Sequence, residues 1–226
     1  MSGKLFLVAT PIGNLQDITL RALETLRTVD LIAAEDTRRA AILLGHYEIR
    51  KPTVSYHSFN ERQATPKLVA ALEEGKNVAL ITDAGSPGIS DPAFYLVREA
   101  LAKHLEVEAI PGPTALVPAL ILSGLPCERF AFEGFPPVKK RRQTFFQSLV
   151  QEPRTIVLFE SPHRVIRTLE DILQFWGDRK VALARELTKI HEEVLRGRVS
   201  ELLAALQQRT IKGECVLVVE GSPKGG

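Results

Sequence analysis

The first structural element of the chain and the loop after it are Leu5-Phe6-Leu7-Val8-Ala9-Thr10-Pro11-Ile12-Gly13-Asn14-Leu15. Residues 5–9 form a short apolar run, which predicts a buried β-strand, and residues 10–15 follow it as a loop. Within residues 18–29, Leu20, Leu23 and Leu26 recur near helical spacing. The order strand, loop, helix is typical of an open α/β sheet, whose ligands bind at the carboxyl ends of strands. Because the loop lacks the Gly-x-Gly-x-x-Gly pattern, the sequence disfavours a dinucleotide-binding domain.

The same alternation continues through the first half of the chain. Strands are predicted at residues 31–34, 53–56, 78–82 and 107–110, and helices at residues 64–72 and 93–101. Near-continuous apolar strands separated by helices indicate an α/β sheet covered on both faces. After Pro111-Gly112-Pro113, an apolar helix at residues 115–122 leads into a breaker-rich stretch at residues 124–126. We therefore predict an N-terminal α/β domain over residues 1–112 and a C-terminal domain over residues 113–226.

The second half has a different balance of elements. Strands are predicted at residues 130–133, 156–159, 181–184, 193–196 and 216–219, and helices at residues 165–176 and 201–208. Fewer helices per strand indicate a mixed sheet, with antiparallel pairing within residues 181–198.

The composition is that of an ordinary globular protein. The 226 residues are 45% hydrophobic and 25% charged, and the net charge of +2 is too small to indicate nucleic-acid binding by itself. Cys127 and Cys215 lie far apart without neighbouring Cys or His residues at zinc-ligand spacing, so we expect reduced core thiols and no metal site. No signal sequence and no apolar run of about 20 residues is found, which predicts a soluble cytoplasmic protein.

Two further loops follow predicted strands and have the composition of binding loops. The loop at residues 82–92 is dense in Gly, Ser, Asp and Pro, with Asp91 expected as the N-cap of the next helix and Pro92 at its first position. The loop at residues 110–115 again joins a strand to a helix. Each loop could be an ordinary connection, but their shared position at strand ends predicts a crevice where backbone amides approach a ligand.

Several motifs extend this pattern along nearly the whole chain, and together they resemble the tetrapyrrole-methylase superfamily. In order they are Thr10-Pro11-Ile12-Gly13-Asn14-Leu15, Ala34-Glu35-Asp36-Thr37-Arg38, Asp83-Ala84-Gly85-Ser86-Pro87-Gly88, Pro111-Gly112-Pro113-Thr114-Ala115, Glu133-Gly134-Phe135-Pro136, Phe159-Glu160-Ser161-Pro162-His163-Arg164, Ala184-Arg185-Glu186-Leu187-Thr188-Lys189 and Gly213-Glu214. The branch that they resemble methylates the ribose 2′-hydroxyl of a cytidine in small-subunit (16S) ribosomal RNA.

The resemblance implies the two-domain α/β fold of class III methyltransferases, with S-adenosylmethionine in the cleft between the domains, and usually a homodimer. It implies ribosomal RNA, free or in the assembled 30S subunit, as the partner. The reaction that it implies requires no metal. Ser86 stands where the tetrapyrrole-modifying branch has Asp. The cofactor-binding residues that it implies are Pro11, Asp83, Ala84, Gly85, Ser86, Pro87, Ile89, Thr114, Ala115, Phe159, Glu160 and Glu214.

Cationic residues concentrate in the run Lys139-Lys140-Arg141-Arg142. Such a run contacts phosphates, which give affinity without reading sequence, or is simply a solvated helix start. Cations at a helix N-terminus oppose the helix dipole, which favours the functional interpretation. We expect this run to bind RNA together with Arg38 and Arg164.

The chemistry calls for polar groups beside the ribose. A 2′-hydroxyl is a poor nucleophile, so transfer needs in-line placement and a group to take the proton. We predict Asp36, Glu61 and Lys189 as the catalytic residues, with His57 as an alternative base. Methylation of a tetrapyrrole or another small molecule is the enzymatic alternative, and a non-catalytic ribosome-docking module is the other.

Overall fold

Five parallel strands form the sheet of the N-terminal unit, Met1–Thr114, in the computed structural model, which describes residues 2–223. The strands are β1 (Lys4–Val8), β2 (Leu31–Ala34), β3 (Thr53–Ser55), β4 (Val78–Ile81) and β5 (Glu106–Ile110), in the order β3-β2-β4-β1-β5. Leu5 of the central strand β1 is in register with Val78 on one side and Val107 on the other. All five carboxyl ends therefore meet at one edge of the sheet.

Helices cover both faces of this sheet, as predicted. They are α1 (Leu20–Thr28), α2 (Thr37–His46), α3 (Glu61–Glu73) and α4 (Ala93–Ala102). Side chains of α1 and α2 pack with Val8 and Ile32 of the sheet, whereas those of α3 and α4 pack with Leu5 and Leu80. Successive strand residues point to opposite faces, so each strand contributes to both cores.

The C-terminal unit, Ala115–Gly226, contains a mixed sheet of five strands, which confirms the predicted sheet type. Its elements are α5 (Leu116–Ser123), β6 (Phe130–Gly134), α6 (Arg142–Ser148), β7 (Thr155–Glu160), α7 (Val165–Trp176), β8 (Lys180–Arg185), β9 (Glu193–Arg198), α8 (Val199–Leu206) and β10 (Cys215–Val219). The strand order is β6-β7-β10-β8-β9. Only β6 and β7 pair in parallel, and β8 pairs with β9 in the predicted antiparallel hairpin. Helices α6, α7 and α8 pack on one face, and α5 contacts β8, β9 and β10.

Three local expectations were wrong. Helix α4 begins at Ala93 with Pro92 at the N-cap position, one residue later than expected, although Asp91 still accepts a hydrogen bond of 2.9 Å from the Ala93 N–H. Helix α2 was not predicted. Cys127 is exposed, whereas Cys215 is a buried core thiol. Within residues 2–223, no helix has the length and apolarity needed to cross a membrane.

Candidate functional site

Three strand-end loops of the N-terminal unit are tied to one another by hydrogen bonds. The backbones of Thr10 and Gly85 exchange a pair of hydrogen bonds, each 2.9 Å long, which joins the loop after β1 to the loop after β4. The buried Thr10 hydroxyl donates to the Thr82 carbonyl at 3.0 Å. The Ser86 hydroxyl donates to the Pro113 carbonyl at 3.4 Å, which adds the loop after β5. The loops that the sequence predicted to share one crevice therefore lie together.

The backbone of the loop after β4 has conformations that most residues avoid. Gly85 has φ +82°, in the left-handed region where glycine carries no steric cost. Ser90 has φ +66°, which is uncommon for a residue with a side chain. Strained backbone of this kind clusters at ligand sites because the surrounding structure must hold it in place. This loop contains six of the predicted cofactor residues, namely Asp83, Ala84, Gly85, Ser86, Pro87 and Ile89.

Asp83 connects this loop to the segment that follows β2. Its Oδ1 accepts a hydrogen bond of 3.0 Å from the backbone N–H of Asp36, and its Oδ2 lies 3.5 Å from the Arg39 guanidinium. The Asp83 N–H in turn donates to Glu35 Oε2 at 3.4 Å. Burial raises the pKa of the Glu35 carboxyl and outweighs that backbone hydrogen bond, with the charges of Asp83 and Asp91 adding to the rise. Sequence reasoning did not select Glu35, although its position directly after a strand is the same signal that selected Asp83.

Asp36 is occupied by local interactions. It is the N-cap of α2, with Oδ1 accepting from the Arg38 N–H at 2.8 Å, and its Oδ2 lies 2.7 Å from the Arg38 guanidinium. The Arg38 hydrogen bonds hold the pKa of the Asp36 carboxyl well below its usual range. A carboxylate with a low pKa is a weak proton acceptor, so these contacts suit Asp36 to orienting a partner.

Glu61 and His57 flank the turn between β3 and α3. Glu61 is the first residue of α3, and its N–H donates to the His57 carbonyl at 2.9 Å. Asn60 holds the turn because its side chain accepts from the His57 N–H at 2.8 Å and donates to the Ser55 carbonyl at 3.0 Å. The Nδ1 atom of His57 is buried and has no hydrogen-bond partner in residues 2–223. The structure thus brings Glu61 and the alternative base into one turn.

In the C-terminal unit, the carboxylate of Glu160 is the centre of a buried network. Its side chain is fully buried and accepts from the Thr168 hydroxyl at 2.6 Å, the Ser161 N–H at 2.7 Å and the Arg164 guanidinium at 2.6 Å. Arg142 donates to the same Thr168 hydroxyl at 2.8 Å. The Glu160 side chain is therefore engaged within the protein.

This network changes the interpretation of the cationic run. Arg142 is 4% exposed, and its guanidinium contacts Asp171 at 2.6 Å and the Pro137 carbonyl at 2.9 Å. Arg142 therefore has a structural role, which corrects the expectation that all four residues of the run bind RNA. Lys139, Lys140 and Arg141 are exposed, and Arg141 has φ +63° at the N-cap of α6. Arg164, also expected to bind RNA, is half-buried beside Glu160 and donates to the Pro136 carbonyl at 3.3 Å.

An aromatic cluster lies at the carboxyl end of β7. The ring of Phe159 meets the rings of Phe132 and Phe135 edge-on, at centroid distances of 4.8 and 5.7 Å. Phe135 is 52% exposed, so the cluster presents an apolar surface at this end of the sheet.

Lys189 and Glu214, predicted for different roles, form an ion pair. The Lys189 ammonium lies 2.9 Å from Glu186 Oε1 and 3.2 Å from Glu214 Oε2. Burial lowers the pKa of Lys189, but the Glu186 hydrogen bond and the Glu214 charge outweigh it, so the pKa is raised. Lys189 is therefore a cation at neutral pH. Glu186 and Thr188 have φ +51° and +67°, so this loop is strained like the loop after β4.

Comparison with known proteins gives the following similarities. The family model "Tetrapyrrole (Corrin/Porphyrin) Methylases" matches residues 4–203. A protein of Thermotoga maritima named "Ribosomal RNA small subunit methyltransferase I" is 50% identical over 219 residues, which cover 97% of this chain and 99% of that protein. A Synechocystis protein of the same name is 53% identical over 222 residues, covering 97% of this chain and 80% of that protein.

A solved structure has the same fold. The uroporphyrin-III C-methyltransferase from Thermus thermophilus, complexed with S-adenyl homocysteine, superimposes with a TM-score of 0.67 at 17% identity. The match covers 96% of this chain and 97% of that one. At this identity the likeness concerns the fold, and it confirms the predicted fold class.

Proposed function

Because the chain belongs to the tetrapyrrole (corrin/porphyrin) methylase family, we propose that it is an S-adenosylmethionine-dependent methyltransferase that methylates the ribose 2′-hydroxyl of a cytidine in small-subunit (16S) ribosomal RNA. The observation that carries this proposal is the 50% identity, over 97% of this chain, to a protein named for small-subunit ribosomal RNA methylation. The two units would act as an N-terminal α/β domain that carries the cofactor loops and a C-terminal mixed α/β domain that adds further contacts to the cofactor and the RNA.

The groups at the N-terminal loops suit the binding of S-adenosylmethionine. Small residues in the loop after β4, including Gly85 in the left-handed region, allow a ligand to approach the backbone closely. The half-buried carboxylates of Glu35 and Asp83 offer acceptors to a ligand that has ribose hydroxyls and positive charge. The proposed contacts are Pro11, Asp83, Ala84, Gly85, Ser86, Pro87, Ile89, Thr114, Ala115, Phe159, Glu160 and Glu214. The bound cofactor would supply an activated methyl group on its sulfonium.

The apolar surface around Phe159 suits the adenine or thioether part of this cofactor. The exposed ring of Phe135 and the partly buried rings of Phe132 and Phe159 offer dispersion contacts to a planar base. Because the Glu160 carboxylate is engaged by Thr168 and Arg164, Glu160 would contribute through its backbone.

The three proposed catalytic residues would have different roles. Lys189 is held protonated by Glu186 and Glu214, so it would stabilise negative charge as the ribose oxygen loses its proton. Asp36 has a low pKa and would orient the ribose. Glu61 then is the carboxylate that would take the proton.

The RNA would be held through its phosphates. Lys139, Lys140 and Arg141 are exposed, and the Arg38 side chain is 89% exposed. Phosphate neutralisation by such side chains gives salt-dependent affinity without sequence recognition. Arg164 would contribute to the same surface from its half-buried position. We further propose that the protein works in the cytoplasm as a homodimer, for which the exposed Phe59 and Phe94 offer apolar contact area.

The test is incubation with methyl-labelled S-adenosylmethionine and, in parallel, 30S subunits, naked 16S RNA and a porphyrinoid. RNA that becomes labelled is digested to nucleosides. We expect the label in 2′-O-methylcytidine. Label in the porphyrinoid would establish the small-molecule alternative, and RNA binding without any transfer would establish the docking alternative.

A further inference from the structure

A cavity of about 640 Å³ lies in the C-terminal unit, apart from the proposed site. It is found where β7 begins at Thr155 and where β10 ends before Glu220, whereas Glu160 and Glu214 mark the opposite ends of these strands. With about 3.3 Å per residue, the two ends are roughly 17–20 Å apart. We call it the arginine cavity because its lining includes Arg129, Arg154, Arg179 and Arg198.

The buried guanidinium of Arg179 is the main feature of the arginine cavity. The residue is 7% exposed, yet its guanidinium has no carboxylate within ion-pairing distance among residues 2–223. It donates only to the carbonyls of Trp176 at 3.1 Å, Glu220 at 3.3 Å and Val150 at 2.6 Å. A guanidinium has five N–H groups, so these bonds use three of them. Buried charges are normally paired, and burial lowers the pKa of Arg179.

The other arginines of the cavity differ in their pairing. In the described part of the chain, Arg129 is exposed without an ion pair, and the Arg198 guanidinium donates to the Asp178 carbonyl at 2.7 Å. Arg154 is paired with Glu152 at 2.7 Å. Three of the four arginines in the lining therefore have no carboxylate within ion-pairing distance in residues 2–223.

The carboxylates of the lining are Glu128, Asp178 and Glu220. Asp178 accepts from the N–H and the hydroxyl of Ser200, at 2.9 and 2.8 Å, and these bonds lower its pKa. Glu220 accepts from the Lys180 N–H at 3.4 Å. The charge of Glu220 partly offsets the effect of burial on the pKa of Arg179, and the charge of Arg198 helps to lower that of Asp178. None of the three acids lies within ion-pairing distance of Arg179 in residues 2–223, so its guanidinium stays open to a closer anionic partner.

We propose that the arginine cavity binds phosphate groups of the RNA strand, as a contact separate from the run of residues 139–141. Guanidinium groups match phosphate oxygens in geometry and charge, and a volume of about 640 Å³ accommodates a nucleotide. An extended RNA strand is long enough to contact both ends of this sheet, which are roughly 17–20 Å apart, whereas a single free nucleotide is not. The identification of the phosphate source as RNA rests on the proposed function.

The test compares Arg129→Glu with Arg167→Glu. Arg129 and Arg167 are both exposed and without an ion pair in residues 2–223, so both variants should fold, and Arg167 lies outside the cavity lining. Binding of a labelled single-stranded RNA is measured by anisotropy at several salt concentrations without cofactor. Binding of AMP is measured by calorimetry. Thermal melts confirm that each variant is folded.

We expect Arg129→Glu to weaken RNA binding about fivefold to tenfold and to reduce the slope of log affinity against log salt by about 0.7, with Arg167→Glu like the parent. Equal RNA affinities for the two variants would overturn the proposal. Loss of AMP binding alone, with RNA affinity unchanged, would also overturn it, because the cavity would then take a free anion. The experiment measures binding and not turnover. Its result can therefore be interpreted even if the parent protein does not methylate RNA.

Discussion

The backbone N–H of Asp36 donates a hydrogen bond to the carboxylate of Asp83, with 3.0 Å between the nitrogen and Oδ1. This bond joins the loop after β2 to the loop after β4, and β2 and β4 are adjacent strands of the sheet. The first of these loops carries a proposed catalytic residue, and the second carries six of the proposed cofactor residues. A disturbance of one loop is therefore expected to reach the other.

Gly85→Val is expected to abolish cofactor binding. A β-branched residue at φ +82° is strained, by more than the roughly 1–2 kcal/mol that an ordinary residue pays in the left-handed region, so the loop should move. Calorimetric titration with S-adenosylmethionine measures the effect. Gly45→Ala, in α2, is the control because a Cβ there meets no atom within 4 Å. Unchanged affinity in a folded Gly85→Val protein would remove this loop from the site.

The cationic run is expected to separate into two functions. Replacing Lys139, Lys140 and Arg141 by Ala should weaken RNA binding and reduce the salt slope by about 0.7 for each phosphate that is no longer neutralised, without changing the melting temperature. Arg142→Ala should instead destabilise the fold by about 3–5 kcal/mol, because it leaves Asp171 without its buried partner. Anisotropy and denaturant unfolding distinguish the two. A triple variant with parental RNA affinity would mark the run as a solvated helix start.

At least one of Asp36→Ala, Glu61→Ala and Lys189→Ala is expected to slow methyl transfer. Loss of a general base costs about 10²- to 10⁴-fold in rate, and we expect the largest effect at Glu61. Single-turnover reactions at saturating cofactor and RNA measure this step. Asp36→Ala should also cost about 0.5–2 kcal/mol of stability because the N-cap is removed, so Asp36→Asn, which keeps a capping oxygen, is its control. Parental rates in all three variants would refute these assignments.

The two cysteines are expected to differ in reactivity with a thiol reagent. Cys127 is exposed, whereas burial raises the pKa of the Cys215 thiol to about 12. Because the thiolate is the reactive form, the native protein at pH 8 should react at one thiol and the unfolded protein at two. Cys127→Ser should remove the native reaction. Rapid reaction of that variant would show that β10 is accessible in the native state.

Elements with a strong apolar pattern could be predicted from the sequence, and those defined by caps could not. The bounds of β2, at residues 31–34, and α7, at residues 165–176, agree with the prediction because each is set by its own apolar residues. Helix α2 was overlooked because Asp36 was interpreted as a chemical group, although it is also the N-cap. An Asp before an amphipathic stretch was the available signal.

The loops that form the site could be predicted from the sequence. The burial, pairing and pKa of each charged group could not. Nothing in Lys139-Lys140-Arg141-Arg142 distinguishes the last residue from the others, because its burial depends on Asp171 and Thr168, which come from α7. The raised pKa of Lys189 comes from Glu186, three residues earlier, but also from Glu214, which is distant in sequence. The long-range part of these properties is not encoded by any local pattern.

The position of β10 has a consequence for biosynthesis. This strand follows β6, β7, β8 and β9 in the sequence, yet it is hydrogen-bonded between β7 and β8 in the interior of their sheet. A nascent chain that has not yet released residues 215–219 from the ribosome lacks the strand that joins the two halves of that sheet. The first 114 residues contain all the strands of their own sheet and can become ordered earlier. We therefore expect the second sheet to form only after β10 has emerged, with the edges of β7 and β8 exposed to chaperones during that interval.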